Sequence, residues 1–536
     1  MSRAGATPPT PPDQEARERA TRIFDRNLVV TAGAGTGKTA ILVERTLNLI
    51  GSGEATLRRL ALITFTDKAA AELRLRLGSG LDRLRRRAAG DAPPLDPRQD
   101  ADRAWAWLAA SSIPADEIGR RALQALAELD AASVGTIHQF CLELLRRHPR
   151  EAGIDPRAAA GEAAALDRLF DETWDRHLRG PDGPGRNRDA WRAAIGADGS
   201  AGTIRGFGEA LARFTLPARA LEPYHAPGLG DLFGPTLEAL AAGLEDLLAR
   251  VRKTTPKMAS FLPLAQGWVE AIRRRGLATA EVRRLAADLA PYKSTPDPGR
   301  RIEGATADEV EAVAAAAHDL LSGLADVDEE AVAAAHAVAR PLASDAKRLI
   351  LERGFVTFEA MLRLARETLA RHPEVRRQTR ARFRMLLLDE FQDTDPLQYE
   401  VMFLLAGREP APEGGGRRAG AADGLDAWSL ELEPGRLFIV GDPKQSIYRF
   451  RRADIAAFRR AVERLLASGG EELRLTASFR SPSRLLAPIN LLFDGWLGPR
   501  DTWREAEAPP YVPIEAAAGD EPPGPARVRI WSADAG

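Results

Sequence analysis

The sequence predicts an α/β fold in which a parallel sheet is interrupted by a large helical insertion. Three observations carry this reading. Short leucine-rich or β-branched runs, Leu28–Thr31 first among them, end in glycine or acidic turns that lead into helical stretches. From about residue 151 the β-branched runs nearly vanish and Ala, Leu, Arg and Glu dominate, with Pro/Gly punctuation. Near residue 385 the strand-then-turn pattern resumes.

In chain order, a polar, Pro-rich leader runs to about Pro12. Leu28–Thr31 reads as a strand, followed by a Gly-rich turn and a helix over Thr39–Ile50. Leu60–Phe65 is a second buried strand and Lys68–Leu77 a second helix. Further strands are expected at Met385–Asp389, Leu437–Gly441, Leu473–Thr476 and Arg527–Trp531, with a flexible surface loop over Glu409–Gly435. The expected domains are the N-terminal part of a sheet domain at 1–150, a helical insertion at 151–350, the rest of the sheet domain at 351–470, and the beginning of a second sheet domain at 471–536.

Composition narrows the function classes. The chain has 536 residues, 75 Lys+Arg against 76 Asp+Glu and a net charge of -1. At about 150 residues per domain, this length allows three or four domains. With 44% hydrophobic and 28% charged residues it is neither a disordered tail nor a small disulfide scaffold. Cys141 is the single cysteine, so no intrachain disulfide or multi-cysteine metal site forms, which suits a reducing cytoplasm. No window reads as a membrane span, and the leader lacks the apolar core of a signal peptide. Near-neutrality leaves a nucleic-acid partner open, because local patches decide that. Only seven of the cations are lysines, and three of these (Lys38, Lys68, Lys444) fall in the motifs below, where a compact ammonium serves better than a planar fork.

The first motif is Ala32-Gly33-Ala34-Gly35-Thr36-Gly37-Lys38-Thr39, a phosphate-binding loop between strand and helix. Its glycines let backbone amides turn in on phosphate oxygens at a helix N-terminus. Lys38 would reach the β- and γ-phosphates of ATP, and Thr39 would ligate Mg²⁺. Ala32 stands where the strict pattern has glycine. Gln14 could pair its amide with the adenine edge. The second motif, Asp389-Glu390-Phe391-Gln392-Asp393, sets two carboxylates at the C-terminal end of a strand, where open α/β sheets bind ligands. Asp389 would hold Mg²⁺ and Glu390 would polarise the attacking water; a strand end with a solvated acidic turn is the bland alternative. In Gly441-Asp442-Pro443-Lys444-Gln445-Ser446-Ile447-Tyr448-Arg449-Phe450-Arg451, Gln445 can sense the γ-phosphate. Tyr448 and Phe450, flanked by Arg449 and Arg451, have the composition of a stacking platform for single-stranded bases, though composition equally fits core aromatics. Arg480 would bring charge to the γ-phosphate from a neighbouring domain.

Together these stretches resemble the UvrD/Rep-type helicases of superfamily 1, and within them the RecB/AddA-like branch. Thr64–Leu73 looks like the family's second motif, with Asp67 where Asn is usual, and Gly135–Cys141 looks like its Thr-x-His-x-Phe-Cys motif. The resemblance implies RecA-like folding of the sheet domains and contacts to single-stranded DNA from Phe65, Lys68, Thr136 and His138, with Tyr448, Phe450 and Arg451. Without it, His138 and Cys141 read as ordinary core residues. The match runs from Gln14 to about Asn490, apart from the insertion, whose length and the Gly354–Glu359 stretch favour the RecB/AddA-like branch. It implies ATP-driven 3′-to-5′ translocation in DNA repair and recombination, alongside a partner helicase-nuclease subunit. Two later family motifs, one supplying a second arginine to the γ-phosphate, are not found before Gly536. The expectation is therefore an N-terminal portion of a longer helicase that unwinds poorly alone. Losing an arginine finger costs about 10³ or more in rate. The alternative is a non-motor module that binds nucleotide and DNA or a partner. A phosphate-loop ATPase unrelated to nucleic acid ranks last, and the residues themselves do not separate DNA from RNA.

Overall fold

The computed structural model describes residues 10–161, 163–195, 200–212, 221–222, 229–275, 279–299, 302–325, 329–409, 425–447, 453–497 and 511–517. The chain divides into two compact units, 1–162 with 351–536, and 163–350.

The strands in chain order are β1 (Leu28–Ala32), β2 (Leu60–Thr64), β3 (Ser133–Thr136), β4 (Ala159–Ala160), β5 (Phe355–Val356), β6 (Met385–Leu388), β7 (Leu437–Gly441), β8 (Glu471–Leu475), β9 (Ala477–Ser478) and β10 (Glu515–Ala516). Six of them build the main sheet of the first unit in the order β3-β2-β6-β7-β1-β8. Every pairing is parallel, with Val29 opposite Ile439 on one side and Glu472 on the other. A sheet covered on both faces needs near-continuous apolar runs, and β2, β6 and β7 are buried at every position. The expected parallel α/β sheet is what forms.

The helices that return the chain to the sheet follow from local sequence. They include α1 (Gln14–Arg22), α2 (Lys38–Ser52), α3 (Asp67–Ala88), α4 (Asp100–Ala109), α5 (Ala115–Glu128) and α6 (Ile137–Arg147). Thr66 caps α3 by accepting the Ala69 amide at 3.1 Å. Thr136 and Gln139 form a reciprocal capping box on α6. Arg45 of α2 is fully buried, donating to the Ala20 carbonyl at 2.6 Å and lying over the rings of Phe438 and Phe24.

Two expectations are corrected here. Glu471–Leu475, expected near the opening of a second sheet, is the edge strand of the first, paired along its whole length with β1. Its alternation, with Leu473 and Leu475 buried and Arg474 exposed, is that of an edge strand. The stretch 409–435 is not a free loop where it is described. Trp428 is buried against Phe403 and Tyr399, and Gly407 bridges Leu432. The Arg527–Trp531 expectation lies outside the described residues.

The second unit is helical. One core is built by helices Leu229–Arg250, Pro256–Arg275, Thr279–Leu289 and Ala307–Ala325 around Leu244, Phe261, Val310 and Leu321. Another gathers Phe170, Trp191, Ile204, Val338 and Leu342.

Candidate active site at the sheet rim

Because the six strands run parallel, their C-terminal ends form one rim, and the motif residues arrive there together. β1 ends at Ala32, and Gly33–Gly37 turn into α2. Gly35 and Gly37 have φ of 75° and 89°, a region that penalises any Cβ. A Cβ on Gly35 would lie 2.5 Å from the Arg480 Cβ, and one on Gly33 would lie 2.5 Å from Ile514 Cδ1. Thr36 Oγ1 donates to the Gly33 carbonyl at 2.8 Å and tightens the turn. No side chain caps α2, so its first amides face the loop without a side-chain acceptor. Lys38 and Thr39 are the first two residues of this helix.

Lys38 Nζ crosses to Glu390 Oε2 at 2.7 Å, linking the ends of β1 and β6. Among the described residues Glu390 is the one non-glycine with positive φ, at 52°. Such a conformation costs about 1 kcal/mol or more, and its neighbours hold it there. Besides Lys38, Gln392 Nε2 donates to the same oxygen at 2.8 Å. The other end of the Gln392 amide accepts the Asp442 N–H at 2.9 Å, tying β6 to β7.

Asp389 is buried, and its amide donates to the Ile63 carbonyl at 2.8 Å. Burial, and then the Glu390 carboxylate, push its pKa up to about 6. Asp393 is raised to about 6 by the same two causes, and its Oδ1 is buried with no hydrogen-bond partner. Carboxylates raised in this way accept a cation readily, because it relieves the crowding of negative charge. Among the described residues no group of three or more His, Cys, Asp or Glu could hold a metal unaided. Mg²⁺ binds through one or two carboxylates together with substrate phosphates.

Asp442 is almost fully buried. It accepts Gln445 Nε2 at 2.7 Å and pairs with Lys444 Nζ at 3.1 Å, so Gln445 is turned to its own strand end. Beyond β8, Ser478 Oγ donates to the Ala34 carbonyl at 3.3 Å and the Phe479 amide to the Gly35 carbonyl at 2.9 Å. The exposed Arg480 follows directly and stands over the loop. Gln14 donates to Glu18 within α1, at 2.8 Å.

At the other end of the rim, Phe65 is half-buried and Lys68 exposed beyond β2. The hydroxyl of Thr136 accepts the Gln139 amide at 3.4 Å as part of the α6 cap. Gln139 in turn donates to Asp67 at 3.0 Å, joining the β2 and β3 turns. His138 meets the exposed ring of Phe358 edge-on at 5.2 Å. Burial lowers its pKa, against the opposing pull of Asp67. Cys141 is fully buried and its thiol pushed far up by that burial, which makes it inert. Tyr448, Phe450 and Arg451 lie outside the described residues. Four residues given no role by the motifs complete the polar cluster: Gln392, Asp442, Asp13 and Arg17. Their signal in sequence was only a polar side chain beside a strand end or an adjoining helix.

The model of the UvrD/REP helicase N-terminal domain matches residues 13–465. The chain is 28% identical over 548 residues to an ATP-dependent helicase/nuclease subunit from Desulforudis audaxviator, covering 89% of this chain and 39% of that protein. It is 24% identical over 525 residues to the protein of the same name in Bacillus cytotoxicus, covering 88% and 38%. The chain thus spans about two-fifths of the length of these curated relatives. With the matched region taking in the phosphate loop, the acidic strand end and the Gln445 turn, the chain belongs to the UvrD/REP helicase N-terminal domain family.

Proposed function

We propose that this chain forms the ATP-hydrolysing part of a DNA helicase that acts in repair and recombination. The observation that carries the reading is the Lys38–Glu390 contact at 2.7 Å, which brings the phosphate loop and the acidic strand end to one point of the rim. Lys38 and the loop amides hold the β- and γ-phosphates, with Gln14 toward the adenine. Thr39 and Asp389 would hold Mg²⁺, which when bound offsets charge on the phosphate oxygens. Glu390, released from Lys38, takes the proton of the attacking water, while Arg480 and Gln445 meet the γ-phosphate. Phe65, Lys68, Thr136 and His138 line the path of single-stranded DNA, and the family motif assigns Tyr448, Phe450 and Arg451 to the same ligand. Residues beyond β8 lead toward a second RecA-like domain. Translocation runs 3′ to 5′, in the cytoplasm, together with the further domains of the longer relatives and a helicase-nuclease partner.

A second reading, a non-motor module that binds nucleotide and DNA or a partner, draws on the same contacts, since Lys38 is engaged by Glu390 and Gln445 by Asp442. Steady-state ATP hydrolysis with and without single-stranded DNA separates the two. DNA-stimulated turnover that Glu390→Gln lowers by about 10³-fold, with ATP binding kept, supports the motor. Binding with no turnover in the unmodified chain supports the module, and no binding at all removes both.

A further inference from the structure

Asp13 and Arg17 form a two-bond pair at the start of α1, with Arg17 Nε and Nη2 donating to the two carboxylate oxygens at 2.7 and 2.8 Å. Both side chains are nearly buried, 4% and 11% exposed. Asp13 occupies the N-cap of α1 but does not cap it. Its Oδ2 instead accepts the amides of Thr476 and Ala477, at 2.8 and 2.9 Å. Arg17 Nη2 also donates to the Ala477 carbonyl at 3.0 Å, and Nη1 donates to the Thr36 carbonyl at 2.8 Å. The guanidinium lies 4.8 Å over the ring of Phe479. One arginine therefore bridges the phosphate loop and a segment 460 residues away in sequence.

Each end of this bridge leads to a group that the proposed function assigns to phosphate. The described backbone has no cis peptides, so a Thr36 carbonyl fixed on Arg17 turns the following Gly37 amide to the opposite side. On the other arm, Ala477 leads through Ser478 and Phe479, both bonded to loop carbonyls, to Arg480. The guanidinium makes four hydrogen bonds to protein groups and is not free to take a phosphate itself.

We propose that Arg17, held by Asp13, is a positioning residue that sets Arg480 against the phosphate loop and so determines discrimination of ATP from ADP. This rests on the reading of the loop as an ATP site. It gives α1 a task separate from that of Gln14: through Arg17 the helix registers the third phosphate across the rim, with Arg17 itself touching none of the nucleotide.

The test is an equilibrium titration of the full chain, with Mg²⁺, using fluorescent ADP and a fluorescent non-hydrolysable ATP analogue. The unmodified chain is expected to prefer the triphosphate. Arg17→Met and Arg480→Ala should each remove about tenfold of that preference, the worth of one charge-assisted contact. Arg480→Ala should leave ADP affinity within about twofold, Arg17→Met should weaken ADP clearly less than the triphosphate, and the double variant should lose little more of the preference than either single, because the two act in series. Should Arg17→Met not fold, Asp13→Asn, which keeps the shape and removes the charge, gives the same readout. Equal losses for both nucleotides, additive losses in the double variant, or no triphosphate preference in the unmodified chain would overturn the proposal. No binding of either nucleotide to the unmodified chain would instead remove the ATP-site reading on which it stands.

Discussion

At the ends of β1, β6 and β7 the polar groups form one continuous hydrogen-bonded chain, whereas at the ends of β2 and β3 they cap the helices that follow or face solvent, joined across the two turns by Gln139 and Asp67. Lys38, Glu390, Gln392, Asp442 and Gln445 make a continuous chain of hydrogen bonds, none longer than 2.9 Å. Thr66 and Thr136, at the other end, are caps, and Lys68 and the Phe358 ring are exposed. On the proposed function the contrast follows from what each half binds. A small, highly charged ligand rewards donors and acceptors fixed before it arrives. A long flexible strand is held by stacking and scattered cations, which tolerate a looser surface.

Substitutions that injure one half and spare the other sharpen the comparison. The largest effect is expected from Gly35→Ala, which places a Cβ at φ 75° and 2.5 Å from the Arg480 Cβ. The neighbour is not a flexible tip, so the backbone must shift. Urea unfolding should show a loss of about 2 kcal/mol or more, with ATP affinity down more than about 100-fold. Oligonucleotide binding by whatever fraction remains folded should be little changed.

Phe65→Ala should act on the other half alone, weakening a single-stranded oligonucleotide by about tenfold, the worth of one stacked base, and leaving ATP affinity as it was. Lys68→Ala is the smallest of these effects. It should lower affinity about threefold and make the slope of log affinity against log salt shallower by about one, as one phosphate contact is lost. An unchanged slope would remove Lys68 from the strand path.

What sequence made legible was local. The phosphate loop announces itself because glycines, Lys38 and Thr39 must be adjacent, and the acidic pair because a buried strand points it at the rim. Sheet membership was harder to read. β8 partners β1, more than 400 residues earlier, and an edge strand with half-buried Glu471 and Glu472 resembles the start of something new. Glu390 in a left-handed conformation has no local signature, since its φ is held by Lys38 across the fold and by Gln392, which is itself anchored on the Asp442 amide. Arg17 reads as one more surface arginine on a charged helix; only the approach of Ala477 and Thr36 makes it a bridge. Trp428 lay in a Gly/Pro-rich stretch whose composition suggested a free loop, yet its indole found Phe403 and Tyr399. Thr136 carried a family role in sequence, while its neighbour Gln139 shows a local one, the helix cap.

The division of the rim is tested most directly by measuring ATP and oligonucleotide affinity separately, each without the other ligand, in Lys38→Ala and in Phe65→Ala. Lys38→Ala is predicted to lower ATP affinity by about 100-fold with oligonucleotide affinity within about twofold, and Phe65→Ala to do the converse. A single substitution that removed both bindings from a folded chain would contradict the account, since it would mean one site where two are claimed.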